Sequence, residues 1–573
     1  MVALVSLLAA SAALAAAGDA AGGKGKGRPN VVVVMTDDQT LASMEFMPRT
    51  RTLIGGAGAT FANSFVSFPL CCPSRATFLT GRYAHNHKVL NNIPPLGGFA
   101  RLRSAETLPV WLGRAGYYTG LIGKYLNGYE QSPVGVPPGW SEFHGQKTQN
   151  AYYGYELQEG KQRFLYGDPD ENPDDPDHPE TYASDVYTDK AVEFIGRRSP
   201  KAVPFFLWVA HNAPHSGIPD PPGNQPSRCR GNAKPAARHI GAFEQAPLPL
   251  PPSFNEADVS DKPPSIRDAP SFDGKQIDAI HNLYRCELES LLAVDEGVQR
   301  IVDALAAAGE LDRTLLIFTS DNGFFHGEHR LPFNKTLLYE ESIRVPLLVR
   351  GPGIPAGITV SDLVANVDLA PTILELTGAN AAFSADGRSL MRAIRHPGRE
   401  SGRELVIESN RYEAVRTERY IYAEHERGPD VGARELYDLR LDPFELDNRV
   451  RDPAYSAVRK ALAKRLRKLN RCRGSECRTK PRVRLRIDDG RDRRRCVSGA
   501  AVVGLTGKDT KRAIEAEFAV RRKHLRTDRS RPHRARVPGA KLRRSGPTAL
   551  RSRVTLRDGR RVDIKERVRR CRR

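Results

Sequence analysis

The hydrophobic positions of the chain follow two periods. Largely apolar runs stand at Pro29–Met35, Tyr118–Tyr125, Pro204–Ala210 and Thr314–Thr319. Runs without polar alternation predict strands buried on both faces of a largely parallel sheet. From Ile277 to Ala308 the period changes: Leu288, Leu291, Leu292, Val298, Ile301, Val302 and Leu305 recur three to four residues apart, which predicts one long helix with a single apolar face. Thr107–Ala115 reads as a shorter helix, and Tyr339–Arg350 as a further buried strand. Between Ser132 and Lys275 the chain is rich in Pro, Asp and Gly, so long loops are expected around the one strand at Pro204–Ala210. Short alternating segments such as Tyr420–Tyr422 and Glu435–Leu439 predict a small antiparallel sheet over Glu404–Val450, followed by a basic amphipathic helix at Tyr455–Leu469.

The ends of the buried runs carry polar groups suited to chemistry. The first ends in Thr36-Asp37-Asp38-Gln39 and the fourth in Ser320-Asp321-Asn322-Gly323. Open α/β sheets bind ligands beyond the carboxyl ends of their strands. Either segment alone reads equally well as a solvated turn with an Asp helix cap. Together they could present three carboxylates and an amide to one hard cation, and all-oxygen ligation favours Ca2+ or Mg2+ over zinc. Lys124 ends the second run, where a lone lysine would be a solvated charge. His211 and His215 follow the third, without the Cys/His partners that a zinc site needs. Cys71-Cys72-Pro73-Ser74-Arg75 sets a thiol four residues before an arginine. It reads either as two buried or disulfide-forming thiols or as an anion-favouring nucleophile at a helix start.

Cys71-Cys72-Pro73-Ser74-Arg75 followed by Leu79-Thr80-Gly81-Arg82 resembles the signature of the type I sulfatases, in which the first cysteine is oxidised to formylglycine. Cys72 occupies the variable position and is left as a small buried thiol. The resemblance implies an alkaline-phosphatase-like fold: a large mixed α/β sheet flanked by helices, with a smaller C-terminal antiparallel sheet. It also implies a cation, Ca2+ ahead of Mg2+, held by Asp37, Asp38, Asp321, Asn322 and the modified Cys71, and a sulfate site formed by Arg75, Lys124, His215 and Lys335, with His211 behind them. His326 and His329 are left as loop residues. One position departs from arylsulfatases, which carry a histidine where Leu126 stands here; Asn127 is a candidate substitute. The stretches around Cys71, Tyr83–Asn92 and Gly123–Asn127 are most similar to N-acetylglucosamine-6-sulfatases and extracellular heparan endosulfatases. They imply a sulfated carbohydrate, a 6-O-sulfated glucosamine unit, as substrate, and a formylglycine-generating enzyme as a maturation partner. Three readings stay open beside it: an arylsulfatase, a phosphonate or phosphodiester hydrolase on the same scaffold, and a polyanion-binding exported protein acting through its tail.

Composition changes the picture at the two ends. The 573 residues, 40% hydrophobic, suffice for a large core. Val2–Ala17 is an apolar run followed by small residues, so residues 1–21 read as a secretory signal although no Lys or Arg precedes the run. No later stretch reads as a membrane span, and a secreted or periplasmic, extracellular location is expected. The net charge of +21 belongs to the tail: residues 471–573 hold 36 Lys/Arg and 11 Asp/Glu, leaving the preceding 470 residues slightly acidic. Such a tail suits polyanions, including nucleic acid or an acidic cell wall. Its cysteines, Cys472, Cys477, Cys496 and Cys571, predict two disulfides in any of three pairings; zinc is the alternative, without two Cys-x-x-Cys pairs to support it. Cys229 and Cys286 could form another bridge. Strands are expected at Arg482–Ile487, Ala500–Leu505 and Val554–Ile564, with a flexible centre near Arg529–Ser545. The expected division is a signal (1–21), a catalytic unit (28–395), an antiparallel subdomain completing it (396–470) and a basic β module (471–573).

Overall fold

The computed structural model describes residues 27–167, 181–199, 201–217, 227–229, 231–398, 402–478, 481–488, 496–497, 500–543 and 546–570. The expected signal therefore lies outside the described residues.

A ten-stranded mixed sheet forms the frame. Its centre is β1 (Asn30–Asp37). Two further strands, β3 (Phe205–Pro214) and β4 (Thr314–Ser320), flank it in parallel, and β2 (Tyr118–Gly123) runs parallel on the outer side of β3. Every residue of β1, β3 and β4 is buried, which is why these runs are continuously apolar rather than alternating. Val31, Val33 and Met35 enter one core, and Val32 and Val34 the core on the opposite face. The register sets Thr36 beside Ser320 and, after a bulge, Asp37 beside Pro214. The carboxyl ends of the central strands are thus level, so the residues that follow them emerge along one edge.

Helices cover both faces. The first, α1 (Cys71–Thr80), lies on the site edge. On one face pack α2 (Ala183–Arg198) and α3 (Gly274–Ala307). A capping box starts α3: Gln276 N–H donates to Asp273 Oδ1 at 2.9 Å, and Asp273 N–H donates back to Gln276 Oε1 at 3.0 Å. Its expected apolar face is buried. Near its middle, a disulfide joins Cys229 to Cys286, as expected.

Two stretches before the small antiparallel sheet depart from the expectation. The loop-rich region also contains α2 and three edge strands, Glu142–Gln146, Tyr155–Glu159 and Gln162–Tyr166. These strands are short, and the outermost is almost wholly exposed, so no apolar run announces them. Within Tyr339–Arg350 only Leu347–Arg350 is a strand, while Glu340–Ile343 makes a helical turn. Pro346 separates them and has no N–H to give to a ladder.

Further along, four antiparallel strands, Leu405–Glu408, Tyr412–Arg416, Tyr420–His425 and Arg434–Asp438, form the expected small sheet. Helix α4 (Ser456–Leu469) covers it through Leu462, Leu466 and Leu469. The tail folds as a three-stranded and a five-stranded sheet around its own apolar core. Val554–Ile564 is not one strand: Pro547–Leu556 and Arg561–Arg570 pair as a hairpin whose turn falls inside that window. The expected flexible centre contains a strand, Arg534–Val537, because Ala535 and Val537 alternate into the core. Cys472 pairs with Cys477. The expected second tail bridge involves Cys571, outside the described residues.

Candidate active site

Cys71 is the first residue of α1, and all ten residues of that helix are buried. The helix ends where Gly81 takes a left-handed conformation (φ 64°) and its N–H donates to the Thr77 carbonyl at 2.8 Å. A Cβ there would also press on Pro371, Ala370 and Ala385 at 3.1–3.3 Å. The glycine of the Leu-Thr-Gly-Arg stretch is thus a helix stop that lets α1 pack closely.

Arg75, fully buried, ties three strand ends together. Its Nε lies 2.7 Å from Asp321 Oδ2, one Nη donates to the Lys124 carbonyl at 2.7 Å, and the other stands 3.7 Å from Asp37 Oδ2. Around Cys71 Sγ, Lys335 Nζ lies at 3.1 Å and Asp37 Oδ1 at 3.4 Å. Lys124 Nζ bonds Asp37 Oδ2 and reaches Asn150 Oδ1 at 3.1 Å. Lys335 Nζ is 2.7 Å from Asp38 Oδ2, and His215 Nε2 is 3.6 Å from the same oxygen. The other ring nitrogen of His215 donates to the Ser216 carbonyl at 2.7 Å, so Nε2 can donate only when the ring is protonated. Asp38 itself sits at φ 69°. The Asn322 amide donates to its Oδ1 at 2.6 Å, and the Asp38 N–H donates to Asp321 Oδ1 at 3.3 Å.

Nine residues expected from the sequence are therefore brought together: Asp37, Asp38, Cys71, Arg75, Lys124, His215, Asp321, Asn322 and Lys335. Within this group, ligand atoms of Asp37, Asp38, Cys71 and His215 all lie within 4.8 Å of one another. Asn322 Oδ1 is buried and has no hydrogen-bond partner. The two carboxylates and the amide oxygen are the donors a hard cation takes, whereas the Cys71 sulfur and the His215 nitrogen are not. The Asp321 oxygens, by contrast, face Arg75 and the Asp38 N–H.

Burial would raise the carboxyl of Asp37, but Lys124, His215, Arg75 and Lys335 outweigh it and hold that group well below the usual carboxylate range. Asp321 is pushed up, by burial and by the neighbouring Asp37. Burial, and after it Asp37, pushes the Cys71 thiol up to about 12, so the unmodified side chain is a neutral thiol at pH 7.

Residues 29–379 match the sulfatase family, and residues 327–472 match the family described as N-sulphoglucosamine sulphohydrolase, C-terminal. The chain belongs to the sulfatase family. This sulfatase, a sulfuric ester hydrolase, is 33% identical over 513 residues to the N-acetylglucosamine-6-sulfatase of Capra hircus, covering 80% of this chain and 86% of the goat protein. It is also 33% identical over 371 residues to the putative extracellular sulfatase Sulf-1 homolog of Caenorhabditis elegans, covering 64% of this chain. The chain spans about half, 49%, of that protein's length. A solved structure of BT4656 in complex with its substrate D-glucosamine-2-N,6-O-disulfate superposes with a TM-score of 0.62 at 25% identity, covering 79% of this chain and 98% of the other. The fold is alkaline-phosphatase-like, as expected.

Other expected residues of the sulfatase fall outside this cluster. His326 pairs with Glu287 at 2.6 Å and His329 with Glu256 at 2.7 Å. His211 is buried without a hydrogen-bond partner on either ring nitrogen, and burial lowers its pKa to about 3, leaving it neutral. Leu126 is fully buried. The side-chain partners of Cys71 are Asp37 and Lys335, not Asn127, whose carbonyl faces Cys72 Sγ at 3.9 Å. No motif or run in the sequence marks Asn150. It comes from a loop, at φ 53°, and meets Lys124 only through the folding of that loop over the sheet edge.

Proposed function

We propose that this sulfatase cleaves the 6-O-sulfate of N-acetylglucosamine units in sulfated glycans. Cys71 is read as the precursor of formylglycine, and Asp37, Asp38, Asp321, Asn322 and the modified residue 71 as the ligands of one divalent cation, Ca2+ ahead of Mg2+. The observation that carries this reading is the position of Cys71: buried at the head of α1, free of any disulfide, and held between an ammonium and a carboxylate. A neutral, buried thiol is a poor nucleophile in its own right. The relatives support the sugar: one is named for N-acetylglucosamine 6-sulfate chemistry, and the substrate of the other is a 6-O-sulfated glucosamine.

The chain's own residues divide the work. Three carboxylates, Asp37, Asp38 and Asp321, face three permanent cations, Arg75, Lys124 and Lys335, so the unliganded cluster is near neutrality. A bound dication would turn it positive, which suits an anionic ester, and would polarise a sulfate oxygen and the attacking hydroxyl. Hydrated formylglycine would supply two hydroxyls on one carbon, one to attack sulfur and the other to release sulfate by C–O cleavage. Lys335 and His215 have the most exposed side chains of the cluster, at 14% and 19%, and are assigned to the sulfate and the leaving oxygen. Lys124 holds Asp37 and the inner sulfate oxygen, and Arg75 fixes the strand ends. For His215 to protonate the leaving oxygen from Nε2 it must be imidazolium, a state that burial opposes more strongly than Asp38 favours, so that its pKa is lowered.

Export is part of the reading: relatives are named extracellular, and among the described residues no helix is long and apolar enough to cross a membrane. A formylglycine-generating enzyme would act during maturation. Two measurements test the whole. A mass spectrum of the Cys71 peptide from the native host is expected to show formylglycine. Turnover of N-acetylglucosamine 6-sulfate is expected to exceed that of the matched 6-phosphate, and a large phosphate preference would overturn the reading.

A further inference from the structure

The tail's charge is not spread evenly. Between α4 and the β module lies a cavity of about 750 Å3 lined by ten Lys and Arg side chains and one carboxylate, Asp509. One wall is the stripe Lys460, Lys464 and Lys468 on α4, four residues apart and therefore on one face. The stripe extends for about 12 Å at 1.5 Å per residue. Like charges at this spacing disfavour the helix, so local stability does not explain the stripe. Ala457 and Ala461, also on the lining, keep the space between the walls open. The opposite wall is built by the module, with Lys508 and Lys511 from the turn before Ala513–Val520 and Arg557 from the hairpin turn.

Beneath the rim, the arginines are tied down. Arg465 Nε lies 2.9 Å from Glu404 Oε2, Arg560 reaches Glu404 Oε1 at 3.3 Å and Asp558 Oδ2 at 2.8 Å, and Arg512 bonds Asp558. Arg560 is 2% exposed and Asp558 fully buried, and the Arg560–Glu404 pair ties the module to the start of the small antiparallel sheet. The rim is the reverse. Lys460, Lys464, Lys468, Lys508, Lys511 and Arg557 are exposed, and their side chains make no ion pair among the described residues.

We propose that this groove binds a linear sulfated polysaccharide. Paired arginines set two rigid walls, and unpaired cations line the opening between them. That arrangement matches an extended polyanion better than a compact one. The choice of a sulfated chain rests on the sulfatase reading; the groove itself does not. A second basic cavity, lined by Arg522, Lys523 and Lys541, lies on the module alone and serves as the comparison.

The test uses the full-length protein on immobilised heparin. The variant Lys460→Glu/Lys464→Glu/Lys468→Glu is expected to lose at least tenfold in heparin affinity and to flatten the log–log salt dependence by about 2, the slope of roughly three lost ionic contacts. Arg522→Glu/Lys523→Glu/Lys541→Glu should lose much less. A Lys→Gln triple at the three α4 positions should fall between the wild type and the Glu triple. Equal losses in the two Glu triples would mean diffuse attraction and overturn the groove, as would unchanged binding in the α4 triple. Double-stranded DNA or desulfated heparin binding as tightly as heparin would overturn the sulfated occupant. Turnover of N-acetylglucosamine 6-sulfate is read in the same samples. It should be unchanged in all variants, and its absence in the wild type would count against the catalytic reading alone.

Discussion

The strand-end cluster and the α4 groove are both rich in cations, but they use them in opposite ways. In the cluster, Arg75, Lys124 and Lys335 each lie against a carboxylate, and Arg75 and Asp37 are wholly buried. In the groove, the rim lysines are exposed and make no ion pair among the described residues, while the floor is paired. Removal of one charge from a buried matched set strands its partner, whereas removal of one from a solvated rim leaves nothing unsatisfied. Positive charge alone therefore says little about function; its burial and pairing separate the proposed reaction site from the proposed polymer-binding groove.

The strongest test of that contrast removes the proposed nucleophile. Cys71→Ala is expected to lower kcat for the sulfate ester by at least ~10^4-fold, with the denaturation midpoint little changed; retained turnover would remove residue 71 from the chemistry. Next, Arg75→Met should destabilise the protein by about 3–5 kcal/mol, because Asp321 and Asp37 lose a buried partner. Lys464→Met should stay within about 0.5 kcal/mol. Urea unfolding of both proteins side by side measures the gap, and similar losses would erase the distinction between the regions. Lys335→Met is expected to lower kcat/KM by about 10^2–10^3-fold with little effect on heparin retention; the Lys460/Lys464/Lys468 variants should do the reverse.

The smallest effect concerns the contact of His85 with the small antiparallel sheet and the Cys472 turn. His85 Nδ1 lies 2.6 Å from Glu408, and Nε2 faces the Cys472 carbonyl at 2.9 Å. Burial opposes its charge, but Glu408 and that carbonyl raise its pKa to about 9. A raised histidine stabilises the fold fully below its unfolded value near 6.5, and this contribution is lost as the pH rises through 9. A fall in Tm of a few degrees between these values is expected, reduced in His85→Gln; an equal fall in both would assign the titration elsewhere.

Much of the site was legible because its parts are local. A buried parallel strand needs an apolar run, and the polar residues that end it mark the binding edge; Asp37, Asp38, Asp321 and Asn322 were found in this way, while Lys124 and His215, at the ends of two more such runs, took their roles only from the family resemblance. The edge strands between residues 142 and 166 were not, since they are short and mix polar with apolar residues, so that no such run marks them. Nor does the tail's pattern mark where one strand turns into the next at Asp558.

By itself, the sequence determined which residue types stand at which strand ends, and the family signature at Cys71, because hydrophobic period and motif spacing are short-range properties. The tertiary structure alone decided which of them meet. Arg75 binds a carboxylate 246 residues away, Asn150 reaches Lys124 from a loop, and α4 faces the module across a groove whose two walls belong to separate stretches of chain. Such contacts depend on how sheet edge, loop and module pack, and no local pattern encodes that.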